Sequence, residues 1–315
     1  MELPRKKGLC CLPNDSEQIS DADEEVFLLY TELQAHQPSS SSGDHRGLGQ
    51  VDSHQDILTV NFTLTKPAES TSPARSFKRK GRRSHDAEIL DLEIQIAQDK
   101  TSLRTRKGDT GSVVWKASVD FASMILQDAR FGSNTLPSLF DSSELKNAHV
   151  LELGSGTGIL SVALSSLVRR YTSTDIDDIV PLIQKNLVLN FPQWPHESNV
   201  SLAALDWIEL QKTSISNRSR LFKFDPVDLL LVVDCIYHPY LIPPLVETID
   251  YLTTPDVTTV LVVVELRAED VIREFLSCWL GLSFWEIWRI GSGEEQIMRR
   301  PYAMWVGIKH ISETC

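Results

Sequence analysis

Beyond residue 147 the chain alternates short apolar runs with stretches of helical spacing. The runs at 148–153, 170–174, 200–205, 227–233, 257–264, 284–289 and 303–309 predict strands, and 158–167, 178–190, 241–252 and 268–280 predict helices between them. In the second helix Ile179, Leu182, Ile183, Asn186, Leu187 and Asn190 lie near one helical face, with Asn190 as its terminator. Leu229-Leu230-Leu231-Val232-Val233 and Val260-Leu261-Val262-Val263-Val264 are apolar on both faces, which suits strands of a sheet covered on both sides. Alternating strands and helices around such strands predict an α/β fold with a doubly wound parallel sheet. No long helix separates the last two strands, so an antiparallel hairpin is expected at the sheet edge, completing a Rossmann-like seven-stranded class.

The first 108 residues read differently. Val26, Leu29, Tyr30 and Leu33 give helical spacing over 23–33, and Leu58, Val60, Phe62 and Leu64 alternate along a strand at 56–64. Around these islands lie Pro38-Ser39-Ser40-Ser41-Ser42-Gly43 and the Ser-, Pro- and base-rich stretch 66–83, too poor in apolar residues to offset ordering entropy. The expected organisation is a partly disordered region at 1–108, with a short helix and strand, and a seven-strand domain at 109–315.

Charge sharpens this picture. The 315 residues hold 43 acidic and 31 basic side chains, net −12, of which −10 falls after residue 108. That balance disfavours direct nucleic-acid binding and suits a basic protein partner. No apolar run approaches the length of a membrane helix, and no apolar stretch follows the charges of Arg5-Lys6-Lys7, so neither a span nor a secretory signal is expected. Five cysteines without a CxxC pair argue against a disulfide framework or a zinc site and fit a reducing compartment, cytoplasm or nucleus. The basic run Arg75, Lys78, Arg79, Lys80, Arg82, Arg83 suits either a solvated linker or a nuclear-import or RNA-binding segment.

The candidate chemistry begins at Leu151-Glu152-Leu153-Gly154-Ser155-Gly156-Thr157-Gly158. A buried strand runs into three alternate glycines and then a helix, as a ligand approaching bare backbone requires. The spacing is GxGxG, where a dinucleotide loop would have GxGxxG to seat a pyrophosphate. It resembles the loop of S-adenosylmethionine-binding domains, in which an acidic group such as Glu152 can sit near the sulfonium or ammonium charge. Asp175 closes the second strand, where it can accept hydrogen bonds from ribose hydroxyls or cap the next helix. Asp206-Trp207, after the third strand, can edge and stack an adenine.

The fourth strand ends in Val233-Asp234-Cys235-Ile236-Tyr237-His238. Ligands of open parallel sheets bind beyond such strand ends. An Asp-x-x-Tyr pair there suits a lysine acceptor: Asp234 can hold the ε-amine by hydrogen bonding, and the Tyr237 ring can line its channel. Cys235 reads as a small buried hydrophobe and His238 as an exposed loop residue. Trp115, before an amphipathic helix through Met124, Ile125 and Leu126, is either core or a cover for the cofactor.

Across about 111–309 these motifs resemble the seven-strand protein lysine methyltransferases that carry Asp-x-x-Tyr. Asp23-Glu24-Glu25, Tyr30-Thr31-Glu32-Leu33-Gln34 and Ala203-Ala204-Leu205-Asp206-Trp207 add a resemblance to their fungal ribosomal lysine methyltransferase branch. The resemblance implies a class I S-adenosyl-L-methionine-dependent fold. It implies cofactor contacts at Trp115, Gly154, Ser155, Gly156, Asp175, Trp207 and, through its backbone, Val233, with Asp234 and Tyr237 at the acceptor. It also implies monomethylation of a lysine on the large-subunit ribosomal protein of the tRNA-exit stalk, with no metal required. Two rivals remain at this point: methylation of RNA, a small molecule or another protein, and a cofactor-binding module without activity.

Overall fold

The computed structural model describes residues 5–35, 49–66, 88–99, 110–132, 138–291, 297–298 and 301–311. The basic run at 75–83 and the serine-rich stretch at 38–43 lie outside these residues. Near the amino terminus, β1 (Arg5–Lys7) pairs with β2 (Cys10–Leu12), and β3 (Glu17–Gln18) leads into α1 (Ala22–Ala35). A long antiparallel hairpin follows, β4 (Ile57–Thr65) with β5 (Ile89–Ala97). Then come α2 (Lys116–Phe131) and the single turn α3 (Ser142–Leu145).

The alternating part runs β6 (His149–Leu153), α4 (Ile159–Leu164), β7 (Arg170–Asp175), α5 (Val180–Asn190), β8 (Val200–Ala204), α6 (Trp207–Lys212), α7 (Ile215–Leu221) and β9 (Leu229–Val233). It closes with α8 (Ile242–Leu252), β10 (Thr259–Glu265), α9 (Glu269–Leu280), β11 (Trp285–Arg289) and β12 (Tyr302–Lys309). The seven strands expected beyond residue 147 all join one sheet, ordered β3-β11-β12-β10-β9-β6-β7-β8, while the strand expected at 56–64 is β4 of the separate hairpin. From β10 to β8 the neighbours are parallel, while β12 runs antiparallel to both β10 and β11, the expected edge hairpin. The sheet has eight strands where seven were expected, because the two-residue β3 pairs antiparallel with β11 and extends the edge. Two residues are too few to carry a periodic signal. The helices α6 and α7 were likewise unforeseen; each is under two full turns.

The all-apolar strands serve two cores. Leu229, Leu231 and Val233 face one, with Phe62, Phe121 and Ile183, while Leu230 and Val232 face the other, with Leu245, Ile249 and Phe275. This is the period-2 alternation of a strand covered on both sides. Elements before residue 109 pack into these same cores. Leu58, Val60, Phe62 and Leu64 of β4 point inward in the expected alternation, and Val26, Leu29 and Leu33 of α1 are buried on the opposite face. Buried Asn186 of α5 receives the Ala97 N–H at 2.7 Å and donates to the Ala97 carbonyl at 3.0 Å and the Thr157 carbonyl at 2.9 Å. The composition change near residue 109 is therefore not a change in packing. Strand order reverses between β6 and β9, so the crevice beyond their carboxyl ends is where a ligand of this fold sits.

Candidate active site

A cavity of about 490 Å³ opens at that crevice. Trp115, Gly154, Ser155, Gly156, Asp175, Trp207, Val233, Asp234 and Tyr237 all line it, so these sequence-selected residues converge from five separate segments. Glu152 is the exception. It is not among the lining residues: its side chain is buried beneath the loop and accepts a hydrogen bond from the Tyr171 hydroxyl at 2.9 Å. Burial pushes its carboxyl up to about 7, with hydrogen bonds from Tyr171 and Ser155 acting the other way. Glu152, read from the sequence as a cofactor contact, is thus set beneath the loop and not on the cavity wall. The strand pleat turns it into the interior, where it supports the loop.

The loop owes its shape to its glycines. Gly154 has φ +64, and a Cβ there would lie 2.8 Å from the Cys235 sulfur and 3.2 Å from the Trp207 ring. Gly156 has φ +55, and its Cβ would meet the Gly111 carbonyl at 3.0 Å. Side chains are thus excluded both by the left-handed backbone and by neighbours on the protein side. Asp175 fastens the loop to the end of β7, accepting the Gly156 N–H at 2.8 Å and the Ile176 N–H at 2.8 Å. Asp175 does not cap the helix that follows it, whose N-cap position is Ile179. Asp206 caps α6, accepting from Ile208 at 2.8 Å and Glu209 at 3.2 Å, and thereby sets Trp207 as the first helical residue against the loop. The buried Trp207 indole nitrogen has no acceptor among the described residues. Across the cavity, Trp115 donates its indole N–H to the Thr110 carbonyl at 2.7 Å.

Asp234 follows β9 with φ +58, a conformation that a non-glycine residue adopts only when its surroundings hold it. Its N–H donates to the Val263 carbonyl at 2.8 Å. Its carboxylate is gripped by a residue that sequence reasoning missed. Arg267 donates from Nη1 to Oδ1 at 3.0 Å and from Nη2 to Oδ2 at 2.7 Å. The same guanidinium bonds Glu265 Oε2 at 2.8 Å and lies 5.0 Å above the Trp115 ring. Burial holds the Asp234 carboxyl above its ordinary value, against the opposing pull of Arg267. The signal for Arg267 was its place at the end of the strand next to β9: Val263 pairs with Val233, so residues just past Val264 emerge beside Asp234.

The bland readings of the neighbouring loop residues hold. The Cys235 thiol is buried, pushed up by that burial, and donates to the Leu153 carbonyl at 3.2 Å. His238 is exposed, and its Nδ1 accepts from the Tyr240 N–H at 3.2 Å.

Comparison with known proteins gives this site its context. A Schizosaccharomyces pombe protein named diaminohydroxyphosphoribosylamino-pyrimidine deaminase is 28% identical over 232 residues, covering 73% of this chain and 51% of that one. The chain thus spans about half the length of that relative. Ribosomal lysine N-methyltransferase 5 of Zygosaccharomyces rouxii is 25% identical over 296 residues, covering 82% of this chain and 88% of that one. Among solved structures, magnesium protoporphyrin IX methyltransferase of Synechocystis PCC 6803 with bound SAM overlaps at TM-score 0.36 and 13% identity, over 62% of this chain and 78% of that one, too slight a likeness to argue from. A family model described as lysine methyltransferase matches residues 93–278, more than half of the chain and the whole of the glycine loop and the Asp-x-x-Tyr strand end. The chain belongs to that lysine methyltransferase family, enzymes that draw their methyl group from S-adenosyl-L-methionine.

Proposed function

We propose that this protein methylates the ε-amine of a lysine in a basic protein substrate, and that the substrate is a large-subunit ribosomal protein, the one that builds the tRNA-exit stalk. The observation that carries the reading is the convergence of Asp234 and Tyr237 with the glycine loop and Trp207 on one cavity. The relatives named ribosomal lysine N-methyltransferase 5 and the net −10 after residue 108 support the choice of substrate. A cytoplasmic site of action follows from that choice.

The cleft suits S-adenosylmethionine. Its volume lies in the range of small-ligand sites, Gly154 and Gly156 leave bare backbone at its floor, and the Trp207 indole nitrogen is buried without a partner among the described residues. Residues 154–156, Asp175, Trp207, Trp115 and the Val233 backbone would hold the cofactor, with Glu152 bracing the loop from below. Each Asp175 oxygen can accept more than one bond, so ribose hydroxyls can share it with the loop amides. When bound, the cofactor supplies a sulfonium methyl carbon that an amine lone pair attacks in line, with the thioether leaving. Asp234 orients the amine, the Tyr237 ring lines its approach, and the enclosed crevice excludes water. Alignment of this kind supplies on the order of 7–11 kcal/mol. The amine arrives neutral, its proton lost to solvent.

A deaminase reading, suggested by one relative's name, lacks the residues it needs. The zinc deaminases carry H-x-E and P-C-x-x-C, and the sequence contains neither. The test of the proposal is transfer from labelled S-adenosylmethionine into an extract lacking this protein, with mass spectrometry of the labelled band. Label on a lysine of a large-subunit ribosomal protein supports it. Label in nuclease-sensitive or dialysable material, or no transfer, overturns it.

A further inference from the structure

We propose that Arg267 is the positioning residue of the acceptor site, fixing the Asp234 carboxylate as a hydrogen-bond acceptor and cancelling its charge. The inference rests on the reading of Asp234 as the group that holds the amine. An unpaired buried carboxylate beside a lysine would favour the ammonium form, which has no lone pair to attack with. A carboxylate already paired to a guanidinium still accepts a hydrogen bond, and so still aims the nitrogen, but exerts little net pull on its proton. Asp234 therefore works as an orienting group, not as a base.

The geometry supports this division of labour. The Asp234 side chain is 3% exposed, and both its oxygens are engaged by the two terminal nitrogens of one guanidinium. Arg267 is itself held on three sides. Glu265 accepts its second bond, the Trp115 ring lies 5.0 Å beneath it, and at Gly49 (φ +81) a Cβ would stand 2.3 Å from Nη2 and 2.8 Å from Glu265 Oε2. That left-handed glycine leaves room for the guanidinium where a side chain would displace it. Trp115 thus touches both the cavity and Arg267, tying the amine's orienting group to the cofactor wall.

The other titratable groups around Asp234 come from several elements. Glu265 ends β10. Tyr302 of β12 donates to Asp120 of α2 at 2.7 Å, beside Lys116. Cys235, Tyr237 and His238 follow Asp234 in its own loop, and the Cys235 thiol is raised by burial. Among the described residues Arg267 is the cation paired with Asp234, so its charge is the one to remove.

The test uses the full chain labelled with [4-13C]aspartate, the Asp234 signal being identified by its loss in Asp234→Asn. Its titration midpoint is compared in the wild type, Arg267→Met and Arg267→Gln. Removing the cation is expected to raise the midpoint by about one unit or more. Equal midpoints in wild type and both variants overturn the proposal, and Arg267→Gln decides alone should Arg267→Met not fold. In transfer to large ribosomal subunits, the acid limb of the pH–rate profile should move upward by a similar amount, with activity recovering at alkaline pH and with Arg267→Lys close to the wild-type limb. A uniform loss at every pH would mark Arg267 as merely structural. Absence of wild-type transfer to these subunits counts against the proposed substrate and leaves the titration to decide the inference.

Discussion

Two arginine–carboxylate pairs in this molecule look alike on paper and sit in opposite circumstances. At the cleft, Asp234 pairs with Arg267; at the sheet edge, Glu25 of α1 pairs with Arg289 of β11 at 3.0 Å. Both carboxylate side chains are 3% exposed. The arginines differ: Arg267 is 30% exposed, Arg289 only 5%. Glu25 also accepts from the Trp305 indole at 2.8 Å, and Arg289 also meets Glu17 of β3 at 2.7 Å, so this pair fastens the amino-terminal elements to the sheet. The exposure of the cation, more than that of the anion, decides what each pair is for. An arginine that can rehydrate survives loss of its partner; one sealed in the interior does not.

Exchanging the two lesions should separate chemistry from folding. Asp234→Ala is expected to lower methyl transfer roughly 10²–10⁴-fold, the range of a positioned polar group in catalysis. The melting temperature should barely change, because Arg267 keeps Glu265, Trp115 and solvent. Cofactor affinity by calorimetry should stay within a few-fold, since the loop and Asp175 are untouched. Glu25→Ala is expected to do the reverse. It leaves Arg289 charged and sealed in the interior with Glu17 as its remaining partner, at a cost of about 3–5 kcal/mol in urea denaturation, while turnover per folded molecule holds. If Asp234→Ala unfolded the protein, or Glu25→Ala spared its stability, exposure of the arginine would not be the deciding variable.

The same contrast explains how far the sequence could be read. Strands buried on both faces announced the sheet, and GxGxG with Asp-x-x-Tyr marked two strand ends that the topology then brought side by side. Arg267 was invisible because its meaning depends on which strand lies next to β9, a long-range pairing that local periodicity does not encode. Glu152 shows a related limit: its spacing from the glycines is readable in the sequence, but the strand pleat that turns it inward is not. β5 carries Leu90, Leu92, Ile94 and Ile96 in the same alternation as β4, a readable signal whose partner lies across a long intervening segment. Nothing local linked Glu25 to Arg289, which are far apart in the chain.

Glu152 extends the comparison to a buried carboxyl that pairs with no arginine among the described residues. Its carboxyl is pushed up to about 7 from 4.5, so the native state keeps a proton that the unfolded chain has lost. Stability is therefore greatest below pH 4.5 for this group and declines as pH rises toward 7, levelling beyond. Glu152→Gln should flatten that part of the stability–pH curve, by on the order of 3 kcal/mol between its ends. Denaturation midpoints across this range would check it, and an unchanged slope would mean that Glu152 is ionised in the fold.

The smallest effects should come where burial involves no charge. Asn186 is fully buried and bonds the N–H and carbonyl of Ala97 and the carbonyl of Thr157, linking the β4–β5 hairpin to the glycine loop. Asn186→Leu strands those backbone groups and is expected to cost about 1–3 kcal/mol, less than the Glu25 lesion. Because Thr157 belongs to the loop, cofactor affinity should weaken a few-fold in the same variant. Asn190 makes parallel bonds to the Gln95 N–H at 3.1 Å and carbonyl at 2.7 Å, but at the surface. Water can replace them, so Asn190→Ala should cost under about 1 kcal/mol and leave cofactor affinity alone. Equal costs for the two asparagines in urea denaturation would show that the hairpin, not burial of its bonds, sets the energetics of that contact.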